Sequence, residues 1–108
     1  MNLKDLASKK DTLKGNEIKI NALIVGAYYG ILGTNWYHLC DAPDGEVLVI
    51  SSPQKAEMGQ RVEVSGTLQL NYEVKGAYTF PLFIERASMD GEGIAPLQPK
   101  LPEGSMAL

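Results

Sequence analysis

From Arg61 to Leu70 the chain alternates strictly: Val62, Val64, Gly66, Leu68 and Leu70 point one way, and Arg61, Glu63, Ser65, Thr67 and Gln69 the other. A period of two sustained this long is a strand with one buried face, because a helix would scatter those apolar side chains around its circumference. Gly66 in mid-strand predicts a bulge or a sharp bend of the kind barrel corners require. The same period runs from Glu17, where Ile18, Ile20, Ala22 and Ile24 alternate with Lys19, Asn21, Leu23 and Val25. That is a long first strand, apolar on both faces toward its end.

Three more strands follow from the same reasoning. Asn35 to Asp41 and Glu46 to Ser51 flank Ala42-Pro43-Asp44-Gly45, whose Asp-Gly pair is a hairpin-turn signal, so these two strands pair antiparallel. Tyr78 to Ala87 is a fifth strand, which Pro81 confines to an edge or a bulge. Between the strands, Gly26, Gly30 and Gly33 bound an unusually apolar loop holding Tyr28, Tyr29, Ile31 and Leu32, Pro53 to Met58 is a connector with at most a helical turn, and Asn71 to Gly76 is a polar loop. Asn2 caps one amphipathic helix over residues 3–13, with Asp5 in the capping-box position and Gly15 as the stop.

Five strands of this length with glycine at the bends suit a small barrel, because closing the sheet hides its edges. The predicted class is all-β: a five-stranded OB-fold-like Greek-key barrel with a short N-terminal helix and an extended C-terminal tail. Residues 1–15 form the helix packed on the barrel, 16–88 the barrel, and 89–108 a Pro/Gly-rich extended tail carrying Pro96, Pro99 and Pro102. The helix usual between strands three and four is missing or vestigial, and the N-terminal helix plugs the barrel bottom instead.

Size and composition narrow the function. A chain of 108 residues makes one domain and leaves no room for a two-lobed enzyme. Its run Ala22 to Val25 is far short of the roughly 20 apolar residues a membrane-spanning helix needs, so no membrane insertion is expected. With Cys40 the single cysteine, no intramolecular disulfide forms and no Cys-based zinc site can be completed. The net charge of −3 argues against a protein built to grip polyanions.

Several runs carry a family resemblance: Leu13-Lys14-Gly15, Gly33-Thr34-Asn35-Trp36-Tyr37-His38-Leu39-Cys40-Asp41, Met58-Gly59-Gln60-Arg61-Val62-Glu63-Val64-Ser65-Gly66-Thr67, and Ala77-Tyr78-Thr79-Phe80-Pro81 with Ile84-Glu85-Arg86-Ala87. Over about residues 3 to 88 the chain resembles small bacterial OB-fold proteins, often exported and loosely described as nucleic-acid-binding-like. The Asp41-to-Gly45 turn is longer than that pattern, and Ala22 to Gly26 lacks its Lys. The resemblance implies the barrel architecture and a mature extracytoplasmic form, periplasmic or secreted, whose leader is absent; a cytoplasmic form stays open.

An OB-fold that binds nucleic acid needs a basic groove with aromatics for base stacking. Tyr28, Tyr29, Trp36 and Tyr37 supply rings, yet from Ile20 to Gln54 there is no Lys or Arg, while Asp41, Asp44 and Glu46 make the stretch negative. Without cations the main attractive term for phosphate is gone. Trp36, His38 and Cys40 share one strand face about 6.5 Å apart. As chemistry, His38 and Cys40 would be a metal pair or a nucleophile with its base. As structure, they are a partly buried imidazole and a small apolar filler, and the absence of a third orienting residue favours structure. The acidic cluster Asp41, Asp44 and Glu46 lacks the spacing of a calcium loop. Trp36 has a structural role too, its indole covering the barrel mouth with the N–H on a backbone carbonyl.

The sequence therefore predicts a non-catalytic module without cofactor or metal. It binds a protein, or a second copy of itself, through an apolar cation-free face of Tyr28, Tyr29, Ile31, Leu32, Asn35, Trp36 and His38. Single-stranded nucleic-acid binding is the alternative, disfavoured by charge.

Overall fold

The computed structural model describes residues 2–41, 45–74, 76 and 78–95. Its elements are α1 (Leu3–Ser8), α2 (Lys10–Leu13), β1 (Glu17–Ile31), β2 (Thr34–Cys40), β3 (Leu48–Ser52), β4 (Arg61–Val74), β5 (Tyr78–Ile84) and β6 (Ser88–Asp90). The strands lie in the order β1-β2-β3-β5-β4-β6, and β1 also pairs with β4, so five of them close a ring. All ladders are antiparallel except β3 with β5, which run parallel over two residue pairs, Val49 with Phe83 and Ile50 with Ile84. The all-β barrel read from the sequence is the fold. No helix is long and apolar enough to cross a membrane, among the described residues.

The alternation that defined β1 and β4 fills the interior. Ile18, Ile20, Ala22 and Ile24 meet Val62, Val64 and Leu68, with Tyr37, Leu39, Leu48, Ile50, Leu82 and Ile84 completing the core. Gly66 sits where its neighbour demands it, because a Cβ there would lie 2.4 Å from the Ile84 methyl Cγ2. The Asn2 side chain accepts from the Asp5 N–H at 2.8 Å and starts α1, whose Leu3 and Leu6 are fully buried against the barrel. The N-terminal segment thus packs on the core.

Several boundaries differ from the sequence reading, among them β3, which starts at Leu48 rather than Glu46, and β5, which ends at Ile84 rather than Ala87. The single helix over 3–13 is two, broken at Lys9, where φ −113 and ψ 15 leave the helical region. The apolar loop after Gly26 is instead the outer half of β1, and only Leu32 and Gly33 turn the chain. The polar loop after Leu70 begins later, since Asn71 to Val74 continue β4. The tail also begins later, because Ser88–Asp90 forms β6 on β4. The connector expected over Pro53 to Met58 carries no helical turn and runs on to Gln60, since β4 starts at Arg61 rather than Gly59. The turn residues 42–44 and the tail from Pro96 onward lie outside the described residues.

Two ladder defects decide which side chains reach the surface. Ile24 pairs with Leu39 but Gly26 with His38, so Val25 is an extra residue on β1. This bulge inverts the alternation: even-numbered residues face the core up to Ile24, whereas beyond it Ala27 packs on the core and Tyr28 faces out. The second defect joins β4 and β5. Leu70 pairs with Leu82 and Tyr72 with Phe80, while Asn71 (φ 51) and Pro81 between them do not pair. Pro has no N–H to give, and Asn tolerates the left-handed backbone better than most residues. Leu70 and Leu82 therefore pack on the core, whereas Tyr72 and Phe80 turn outward onto Phe83.

Candidate functional site

The two inversions gather six of the chain's eight aromatic residues on the outer face of β2, β3 and β5. Phe83 is fully buried there, outside the barrel core, because other rings cover it. Tyr72 stacks on it at 4.2 Å between centroids with 12° between planes, Phe80 lies at 6.0 Å and Trp36 at 5.9 Å. Tyr78 continues the row, parallel to Phe80 at 6.4 Å, and Tyr28 leans on His38 at 5.3 Å. Offset and tilted pairs at these separations each contribute about 0.5–1.5 kcal/mol beyond their buried area.

Between the tips of the β1–β2 and β4–β5 hairpins this face opens into a cleft of about 450 Å³, lined by Tyr28, Ile31, Leu32, Trp36, His38, Val49, Val74, Tyr78 and Phe80. Among the described residues the lining has no Lys, Arg, Asp or Glu, and its one imidazole is His38, whose burial holds its pKa below the ordinary value. Ile31, Leu32 and Tyr78 are 49%, 53% and 67% exposed, an apolar rim with nothing over it among the described residues. The Trp36 indole N–H donates to the Ile31 carbonyl at 2.7 Å, the backbone partner expected of it, but the ring lies on the outer strand face against Phe83 and Phe80 rather than over the barrel mouth. The Tyr28 ring and the His38 Cβ both pack close over Gly26, 3.4 Å from where its Cβ would stand.

Of the seven residues singled out from sequence, Tyr28, Ile31, Leu32, Trp36 and His38 converge on this cleft. Tyr29 and Asn35 do not. The Tyr29 hydroxyl donates to the Ala56 carbonyl on the opposite side of the hairpin, its ring edge-on to Tyr37 at 6.2 Å and the Lys55 ammonium 5.4 Å from its centroid. Asn35 holds the hairpin to the connector: its Oδ1 accepts from the Gly30 N–H at 3.0 Å and its Nδ2 donates to the Gln54 carbonyl at 3.2 Å. Val49, Val74, Tyr78 and Phe80 escaped the sequence reading, although Tyr78 and Phe80, two apart in a strand, share a face.

Cys40 and Tyr37, the other reactive side chains of this region, lie in the core. Among the described residues no group of three or more His, Cys, Asp or Glu side chains is placed to hold a metal ion. Tyr37, whose hydroxyl donates to the Gln54 carbonyl at 2.8 Å and accepts from the Ala56 N–H at 3.0 Å, has its pKa raised by burial and acts as a buried tie. No family model, curated protein or solved structure matched the chain.

Proposed function

We propose that the chain is a non-catalytic OB-fold interaction module whose outer aromatic cleft receives an apolar segment of protein. The observation that carries this reading is the cleft itself: an aromatic and aliphatic lining, a strongly exposed rim and no cation among the described residues. A contiguous apolar surface of this kind marks a contact site rather than an ordinary exterior. The OB-fold reading draws support from the ring order β1-β2-β3-β5-β4 closing on β1, with β3 and β5 parallel. In that architecture ligands settle on the second and third strands between the β1–β2 and β4–β5 loops, where this cleft lies. The resemblance to exported bacterial proteins adds an extracytoplasmic placement, which fractionation of the native cell tests.

A second reading, single-stranded nucleic acid, is favoured by Trp36, Tyr78 and Phe80 presenting rings at that same position. Among the described residues the cleft lining offers no cation to neutralise phosphate, the source of most nonspecific affinity. Emission from Trp36, the sole tryptophan, separates the two. On titration with apolar, proline-containing peptides it shifts saturably and with little dependence on salt, and oligothymidylate leaves it unchanged. Tight, salt-sensitive oligothymidylate binding with no peptide response would reverse the assignment.

A further inference from the structure

We propose that the protein segment received by the cleft carries a basic residue, arginine above lysine, beside its apolar anchor, and that Glu46 is the group that selects it. The inference rests on the peptide-binding reading above and names the chemistry of the partner. It starts from continuity along the outer face. A second hollow of about 460 Å³, reaching Gly45, Glu46 and Val47, shares His38, Val49 and Phe80 with the cleft. The two form one trough, apolar at the hairpin tips and ending on a carboxylate.

Charge decides what such a trough favours. Among the described residues neither hollow has a Lys or Arg in its lining, and Glu46 is the one carboxylate. It is exposed and stands just ahead of β3. Lys4 lines a third hollow, beyond Glu46 and together with Asp41, yet forms no ion pair with either; the ion pair among the described residues joins Lys19 to Glu63. An anionic ligand would meet the Glu46 carboxylate uncompensated. A cationic one supplies the counter-charge it lacks.

The passage between the two hollows is aromatic. His38 and Phe80 lie edge to face at 6.5 Å between centroids, and both line both hollows. A basic side chain crossing them lays its methylenes on apolar surface while its charge is drawn to the rings. The planar guanidinium stacks on aromatic faces and presents a fork of donors to a carboxylate, which ranks arginine above lysine. His38 adds no opposing charge near neutral pH, because burial keeps its imidazole unprotonated. An extended segment shows the same face at every second residue, about 6.6 Å along. With the anchor in the cleft, an arginine two residues away falls over the shared rings and reaches on toward Glu46.

The test follows Trp36 emission in the full-length chain during titration with the N-acetylated, amidated peptide Pro-Leu-Pro-Leu-Gly-Arg-Gly. The same peptide with neutral citrulline or with Glu in place of Arg is titrated alongside, and each is also made in reverse order to cover both chain directions. In one of the two orders the Arg peptide binds about fivefold tighter than the citrulline peptide, the difference a ring contact plus one exposed ion pair provides, and the Glu peptide is weakest. Glu46→Gln reduces the Arg preference to about twofold, and Glu46→Lys places the Glu peptide ahead of the Arg peptide. Both substitutions fall at an exposed position outside the strands, and far-UV circular dichroism checks that they fold. Equal affinity for the Arg and citrulline peptides in both orders overturns the proposal while the apolar-peptide reading stands. So does an Arg preference that Glu46→Lys leaves undiminished. If no peptide changes the emission, both fall.

Discussion

Gln54 and Met89 exchange a pair of hydrogen bonds: Nε2 donates to the Met89 carbonyl at 2.8 Å, and Oε1 accepts from the Met89 N–H at 2.7 Å. A buried side-chain amide here substitutes for a strand, giving β6 a partner on the side away from β4. Gln54→Leu keeps the volume and removes the pairing, leaving a buried N–H and C=O unsatisfied. We expect a loss of about 3 kcal/mol, seen as a fall in Tm of more than about 10 °C. A fall of only a degree or two would show that water replaces the amide.

Leu32 occupies the first central position of the two-residue β1–β2 turn at φ 54, followed by Gly33 at φ 81. Positive φ at both positions is what a type I′ turn requires, and Asn-Gly fits it far better than Leu-Gly. A leucine held there, 53% exposed on the cleft rim, costs stability to present its side chain. Leu32→Asn should therefore raise stability by about 1 kcal/mol while weakening peptide binding. Chemical denaturation and Trp36 titration measure the two effects, and a variant stabilised with binding intact would free Leu32 of any role in recognition.

Gly66 has the closest neighbour of the described glycines, its absent Cβ replaced by the Ile84 methyl. Gly66→Ala forces β4 and β5 apart at the corner and should destabilise by about 1–3 kcal/mol. The urea midpoint drops while the m-value stays constant, and an unchanged midpoint would mean that the corner yields without cost.

His38 is the only histidine, so its titration can be followed without interference. Its pKa lies below 6.5 because burial disfavours the imidazolium. Above pH 6.5 it is neutral in both folded and unfolded chains and contributes no pH dependence. As the pH falls below 6.5 the unfolded chain takes up a proton that the folded chain refuses, so stability declines until the folded-state pKa is passed, then levels off. The difference in stability between wild type and His38→Gln isolates this from the carboxylates, and an NMR midpoint at or above 6.5 contradicts it.

Legibility tracked how local the physics was. The inward faces of β1 and β4 were readable because Ile18 to Ile24 and Val62 to Leu68 obey one period and bury one side. Reading stopped at the defects. Val25 shifts the register by one, and a broken alternation rich in glycine resembles a loop when it is a bulged strand. Asn71 and Pro81 hid the end of β4 in the same way, since their mismatch makes sense only when the two strands lie side by side. Gln54 gave no signal at all, because no local pattern tells which polar residue will meet a backbone 35 positions away. Trp36, Tyr28 and His38 were visible as chemistry, but their union with Val74, Tyr78 and Phe80 is a product of topology.

The barrel closes between β3 and β5 through only two residue pairs, and the hairpin tips extend beyond that waist. On the proposed function they would be the jaws of a pair of tongs: the pivot carries the core, and the gap at the far end is set by arm length and phase. Residues added in pairs to both arms would lengthen the grip without moving any side chain from one face to the other, whereas a single insertion would turn the gripping surface inside out.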